Sequence, residues 1–221
     1  MDMDFTLNAV EARVLGCLIE KELTTPEYYP LSLNSLTTAC NQKSNRDPVM
    51  ALTEEDVVRA LNRLRFLQLT VVSGESSRVA KYRHLLSENM GLVPAELAVI
   101  CELLVRGPQT VGELRTRGER MHPFSDLAAV EEVLSELTER EHPLVTKLPR
   151  QPGRKEARHA HLFSGRPDLS SEEHEASPEP ARVRVMAEDG RMVKLEEEVA
   201  ALRSEVEELR RQMEEFRRQF E

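Results

Sequence analysis

Tryptophan is absent from this 221-residue chain, and aromatics of every kind supply only 4% of it. Any core must rest on Leu, Val, Ile and Ala, which suits small helical domains. Cysteine is nearly as scarce. Cys17, Cys40 and Cys101 are odd in number and widely spaced, which argues against a disulfide framework and for small buried hydrophobes in a reduced compartment. The three Cys and six His never fall at zinc-ligand spacing, so no metal is expected. No Gly-rich loop follows a strand, which removes the P-loop and the dinucleotide fingerprint. No apolar run approaches the length of a membrane span, and the acidic opening Met1-Asp-Met-Asp is followed by no apolar signal region. These absences predict a cytoplasmic protein with no cofactor, no catalytic apparatus and no membrane partner.

What is present is most distinctive at the end of the chain. Met192, Leu195, Val199, Leu202, Val206, Leu209, Met213, Phe216 and Phe220 recur at alternating three- and four-residue steps, the a/d seam of a coiled coil. With Met192 at a, the g positions Arg191, Glu198 and Glu205 face the e′ positions Glu196, Arg203 and Arg210 of a parallel copy. Each such pair is opposite in sign, whereas an antiparallel pair sets like charges together. Val at a and Leu at d favour two strands. The expected first partner is therefore a second copy of this chain, as a parallel homodimer over residues 191–221.

Upstream, one unit is written twice. Asn8 and Glu11 form a capping box ahead of the apolar face Val10, Val14, Leu15, Leu18 and Ile19. The face returns as Ala95, Val99, Ile100, Leu103 and Leu104, with Glu96 in the place of Glu11. Residues 30–36 match residues 108–114 as a short second helix. A third helix follows in each half, one capped by Thr53 and carrying Val57, Ala60, Leu61 and Leu64, the other capped by Ser125 and carrying Val130, Val133, Leu134 and Leu137. Two β-like runs close each half, at 69–72 and 78–84, then at 144–148 and 155–163. Three helices followed by a β-hairpin is the order of a winged helix-turn-helix domain. The expected architecture is mostly α with small β-hairpin wings, with winged-helix domains over 1–88 and 89–165. A Pro/Ser/Glu-rich disordered linker is expected over 166–190.

The stretch Leu31-Ser-Leu-Asn-Ser-Leu-Thr-Thr-Ala-Cys-Asn-Gln-Lys-Ser-Asn-Arg-Asp-Pro48 resembles the signature of the YceH-like bacterial proteins of unknown function. Residues 57–67 and the run ending His161-Leu162-Phe163 fit its continuation. The resemblance covers roughly residues 5–165. It implies tandem winged-helix domains and a dimeric cytoplasmic assembly, and it supplies no substrate, cofactor or catalytic residue.

Net charge is −9, but unevenly placed. Through Gly165 there are 20 Lys/Arg against 23 Asp/Glu; from Arg166 onward, 10 against 16. A nearly neutral body makes the clustering of its cations the informative quantity. Arg59, Asn62, Arg63 and Arg65 on the first third helix suit phosphate and base-edge contacts with double-stranded DNA, although Glu54, Glu55 and Asp56 open that helix. Arg78, Lys81 and Arg83 make a first basic wing. The second, with Lys147, Arg150, Arg154, Lys155 and Arg158 beside His159 and His161, is the strongest basic cluster, next to an acidic helix carrying Asp126, Glu131, Glu132 and Glu136. His159 and His161 read as part of an exposed wing. Arg115, Arg117 and Arg120 are expected in the loop before the acidic helix, adding to the cluster or pairing with its carboxylates. Asn41, Gln42, Lys43, Asn45 and Arg46 form a candidate binding loop that either holds a ligand or ties itself down. Two functions follow: a dimeric DNA-binding, regulator-like protein, or an interaction scaffold for an unidentified protein partner.

Overall fold

The computed structural model describes residues 5–73, 79–150 and 156–167. The coiled-coil seam, the linker from residue 168 onward, and Arg78, Arg154 and Lys155 lie outside the described residues. The protein is mostly helical with small antiparallel strand pairs, and the described residues as far as Pro167 belong to one compact unit.

Its elements run α1 (Ala9–Thr24), a single 3-10 turn, β1 (Leu31–Ser32), α2 (Leu33–Cys40), α3 (Glu54–Phe66), β2 (Thr70–Ser73) and β3 (Lys81–His84). Then come α4 (Leu86–Met90), α5 (Pro94–Arg106), α6 (Val111–Gly118), α7 (Leu127–Glu139), β4 (Val145–Lys147) and β5 (His159–His161). The strands form one three-stranded antiparallel sheet, β1-β3-β2, and one pair, β4-β5.

The internal repeat is physical as well as sequential. Asn8 accepts from the Val10 and Glu11 amides, and the Glu11 carboxylate accepts from the Asn8 amide at 3.0 Å. At α5 the Glu96 carboxylate accepts from the Val93 amide at 2.9 Å, although Val93 offers no side-chain acceptor in return. Leu31, ahead of α2, pairs with Tyr82 of β3; Gln109, in the same place ahead of α6, bridges His159 of β5. One detail differs from expectation. The cap of α7 is Asp126, whose carboxylate accepts from the Ala129 amide at 2.9 Å, and not Ser125. The Asp126 carboxylate is the side chain that reaches the third amide of the helix, and as an ionised acceptor it makes the stronger bond there.

The halves interlock rather than sit apart. α1 is buried from Glu11 through Ile19 on every side, because α5 packs against it opposite its own half's core. Gly16 makes that approach possible: a Cβ there would lie 2.7 Å from Val105 Cγ1 and 3.0 Å from Leu104 Cβ. The Cys101 thiol donates to the Gly16 carbonyl at 3.3 Å, and all three cysteines are buried. Leu7 N–H donates to the Phe163 carbonyl at 2.8 Å, joining the first residues of the unit to its last strand region. Among the described residues, no helix is long and apolar enough to cross a membrane.

Candidate nucleic-acid interface

α3 owes its amphipathic character to the spacing of Val57, Ala60, Leu61 and Leu64, all buried, which leaves the remaining positions to solvent. Arg59, Asn62, Arg63 and Arg65 are all exposed. They are not equivalent. Arg59 is ion-paired with Asp56, the residue that closes the Thr53 capping box. Arg63 lies over the ring of Phe66, 5.6 Å from its centroid. Asn62 and Arg65 have no side-chain partner among the described residues. The helix is polar in charge: Glu54, Glu55 and Asp56 fill its first turn, while Arg63 and Arg65 stand in its last. Hydrogen bonds from the Thr53 amide and hydroxyl, together with Arg59, hold the Asp56 carboxyl below the usual carboxylate range.

The adjoining strand is half as cationic as its sequence reads. Lys81 is exposed, but Arg83 is ion-paired with Glu88 of α4. The opposite face of β3 is anchored: His84 is buried, its backbone N–H donates to the Tyr29 hydroxyl at 2.8 Å, and its Nδ1 accepts from the Leu86 amide at 3.2 Å. That acceptor role places the imidazole proton on Nε2, which meets Glu22.

In the second half, Lys147 and Arg150 are exposed and Arg158 is half-buried. His159 and His161 do not belong to an exposed strand, as the sequence suggested. Both lie largely inside, with Nδ1 atoms that are buried and unpartnered among the described residues. Burial, and for His159 also the Lys147 charge, pushes both imidazoles below the ordinary histidine range, His161 to about 4. Alternation sets the two on one face; what it could not say was that β5 is covered on both faces, with Ala160 buried as well. Nor do Arg115 and Arg117 serve α7. Both belong to α6, where Arg117 pairs with Glu113 at 3.2 Å and Arg115 donates to the Ser125 carbonyl at 3.1 Å.

A lowered histidine pKa fixes the sign of a pH effect. The folded state resists the proton, so the His161 contribution is fully present above pH 6.5 and is lost as pH falls from there toward 4. Between pH 7 and pH 5 this amounts to about 2 kcal/mol. Glu20, Asp56 and Glu88 are held below the ordinary carboxylate range, while burial raises Glu102, whose contribution grows as pH falls and opposes the histidine loss, so the comparison with a His161 variant carries the test. Urea denaturation at the two pH values should show the loss in the wild type and a flatter profile in His161→Phe. Equal slopes would refute the assignment.

The candidate loop at 41–46 is tied to its surroundings. Asn41 clasps Leu52 through both ends of its amide, at 2.7 and 2.8 Å. Asn45 adopts a left-handed φ of 58° and its side chain accepts from Arg106 at 2.7 Å. Gln42 accepts from Arg46 at 3.0 Å, and of the five candidate residues Lys43 and Asn45 stand at exposed positions. Arg46 is buried and donates through all five of its N–H groups: to the carbonyls of Ala39 and Asn45, to Gln42, and twice to the Glu20 carboxylate. Burial alone would raise the Glu20 pKa, but the Arg46 bonds and charge outweigh it and hold the carboxyl below its usual range. Arg13 is a functional neighbour that sequence reasoning missed. It sits on the apolar face of α1, 1% exposed, and donates to the carbonyls of Cys40, Pro48 and Val105. A charge at a core position of an amphipathic helix is the signal that could have found it.

The fold and the site thus define a mostly helical protein with a doubled helix-and-strand order, exposed arginines on α3 and a self-tied polar loop. Residues 7–154 match the family described as "Protein of unknown function, DUF480", and the chain belongs to that family. It is 69% identical to a UPF0502 protein of Geotalea uraniireducens over 90% of both chains, and 68% identical to one of Geobacter sulfurreducens over the same shares. A UPF0502 protein of Citrifermentans bemidjiense is 48% identical over 90% of this chain and 91% of its own.

Proposed function

We propose that the protein is a dimeric winged-helix DNA-binding protein with a transcription-regulator-like role and no catalytic activity. The observation that carries this reading is the solvent face of α3, where Asn62, Arg63 and Arg65 stand opposite the buried stripe beside the exposed Lys81 of β3. In this reading α1 to α3 with β2 and β3 form one winged helix, α5 to α7 with β4 and β5 the other, and α3 is the groove-facing helix. The seam at 192–220 pairs two copies in parallel and sets their spacing. Lys147, Arg150, Arg154, Lys155 and Arg158 contribute phosphate contacts from the second wing.

Fluorescence anisotropy of a labelled random duplex, at low and then near-physiological salt, tests this reading. Binding should weaken steeply with salt, and Arg63→Ala/Arg65→Ala/Lys81→Ala should reduce the slope of log K on log salt by about three, one for each phosphate contact. No binding at low salt, with the fold intact by circular dichroism, would reject it. That outcome selects the second reading, a protein-interaction scaffold. Two observations favour it: the exposed acidic face Glu131, Glu132 and Glu136 on α7, and the pairing of Arg59 and Arg83 with carboxylates of their own chain.

A further inference from the structure

At the C-terminal end of α3 the chain leaves an aromatic ring in solvent. Phe66 is 77% exposed, more than any other large hydrophobic residue among those described. It borders an open groove of about 630 Å³ lined from α3, β2, Leu85 and Asn89 of α4, within the size range of small-molecule sites. We propose that this groove is a binding site for an unpaired nucleobase, stacked on Phe66, so that the protein prefers single-stranded or locally opened nucleic acid to intact duplex. The inference deepens the nucleic-acid reading above and rests on it.

Three features converge on that ligand. The first is the ring with its cation: the Arg63 guanidinium covers part of Phe66 at 5.6 Å and leaves most of the ring open. An aromatic face backed by a guanidinium is the stacking platform that single-strand binders use, and it rewards any base whose faces are free. In a duplex both faces are already stacked, so the platform discriminates against it.

The second feature is the lining. Asn62 and Gln68 bring side-chain amides to the groove, and neither amide has a hydrogen-bond partner among the described residues. Thr70 also lines it, 3% exposed, with a hydroxyl that is buried and unpartnered among the described residues. A base edge carries both donors and acceptors and can replace the water on the two exposed amides with its own hydrogen bonds, which an aliphatic ligand cannot do. Gln68 is presented by a left-handed backbone, φ 59°, and its carbonyl is fixed by the Asn89 amide at 2.6 Å.

The third feature is charge. Arg65 lines the groove without an ion-pair partner among the described residues and is placed to meet the phosphate of the bound nucleotide. The acids that open α3 are too distant to cancel it. Glu55 precedes Phe66 by eleven residues, about 16 Å along a helix, roughly two Debye lengths at physiological ionic strength. The charge asymmetry that argues against the usual groove-facing end of α3 therefore favours its other end.

The test uses the full chain and two labelled probes, a mixed-sequence single strand of 20 nucleotides and its matched duplex, read by anisotropy at fixed salt. The wild type should bind the single strand more tightly. Phe66→Ala should weaken single-strand binding about tenfold, the loss of one stacked base, and change duplex binding less than twofold. Phe66→Tyr, which keeps the ring, should restore the preference. Because Phe66 is exposed, the alanine variant should unfold at the wild-type denaturant concentration, which separates a binding defect from a folding one. Equal affinity for both probes, or an equal loss on both in Phe66→Ala, overturns the base site while leaving duplex binding standing. A change in solution mass in Phe66→Ala without a change in either affinity overturns it too, and makes the ring a contact between copies. Failure of the wild type to bind either probe at low salt removes this inference together with the nucleic-acid reading.

Discussion

Arg46→Met is expected to lower the unfolding free energy by about 3–5 kcal/mol, the range for removing one partner of a buried, hydrogen-bonded ion pair. The cost comes from what remains. Glu20 keeps a carboxylate whose side chain is 13% exposed and whose strongest partner has gone. The carbonyls of Ala39 and Asn45 lose their donor, and Gln42 loses its only hydrogen-bond partner among the described residues. Chemical denaturation followed by far-UV circular dichroism measures the effect, since the chain has no tryptophan to report by fluorescence. The double variant Glu20→Gln/Arg46→Met, which removes both charges together, should recover part of the loss. A single-variant cost below about 1 kcal/mol, the value of an exposed pair, would show that the loop at 41–48 is not held this way.

Gly16→Val should cost about 3 kcal/mol, the upper end of the overpacking range. Gly16 sits in the middle of α1, where glycine is a poor helix former and alanine would ordinarily stabilise by up to about 1 kcal/mol. Here the added carbon meets Val105 Cγ1 and Leu104 Cβ at separations below van der Waals contact. Neither can swing aside: a β-branched side chain in a helix has one favoured rotamer, and Leu104 Cβ moves only with its backbone. Valine adds two further carbons to that collision. The midpoint in urea should fall without a change in slope, and Gly16→Ala should lie between the two. A neutral or stabilising alanine would mean that α1 and α5 separate easily.

The longer helices and their order were legible because α1, α3, α5 and α7 each carry an apolar stripe at helical spacing, even though the α7 cap falls one residue later than expected and the α5 cap has no side-chain acceptor; the five-residue α4 is too short to carry such a stripe. Four short strands fall within or overlap the runs read at 69–72, 78–84, 144–148 and 155–163, whereas the two-residue β1 carries no pattern to read. Burial of β5 was not legible. A two-residue period reports which side chains share a face, and the backbone bridge from Gln109 to His159 that covers this strand comes from fifty residues away. The site was legible only as a set of cations. Sequence counts Arg59 and Arg83 as available, whereas Asp56 and Glu88 occupy them. Phe66 escaped notice because an aromatic next to Leu64 and Leu67 looks like core. Only the rotation of α3 against its neighbours shows that position 66 points outward.

The bond from Arg13 to the Val105 carbonyl spans 92 residues, and it sets a schedule for synthesis. A ribosome adds about 5–20 residues each second, so α1 leaves it on the order of ten seconds before its helical partner α5 exists. Throughout that interval Val14, Leu15, Leu18 and Ile19 can reach only the elements of their own half. The nascent chain carries Gly16 and the Arg13 guanidinium without the surface that later covers them. Such a segment is what holdase chaperones recognise, and the first half of this protein waits for the second before it can close.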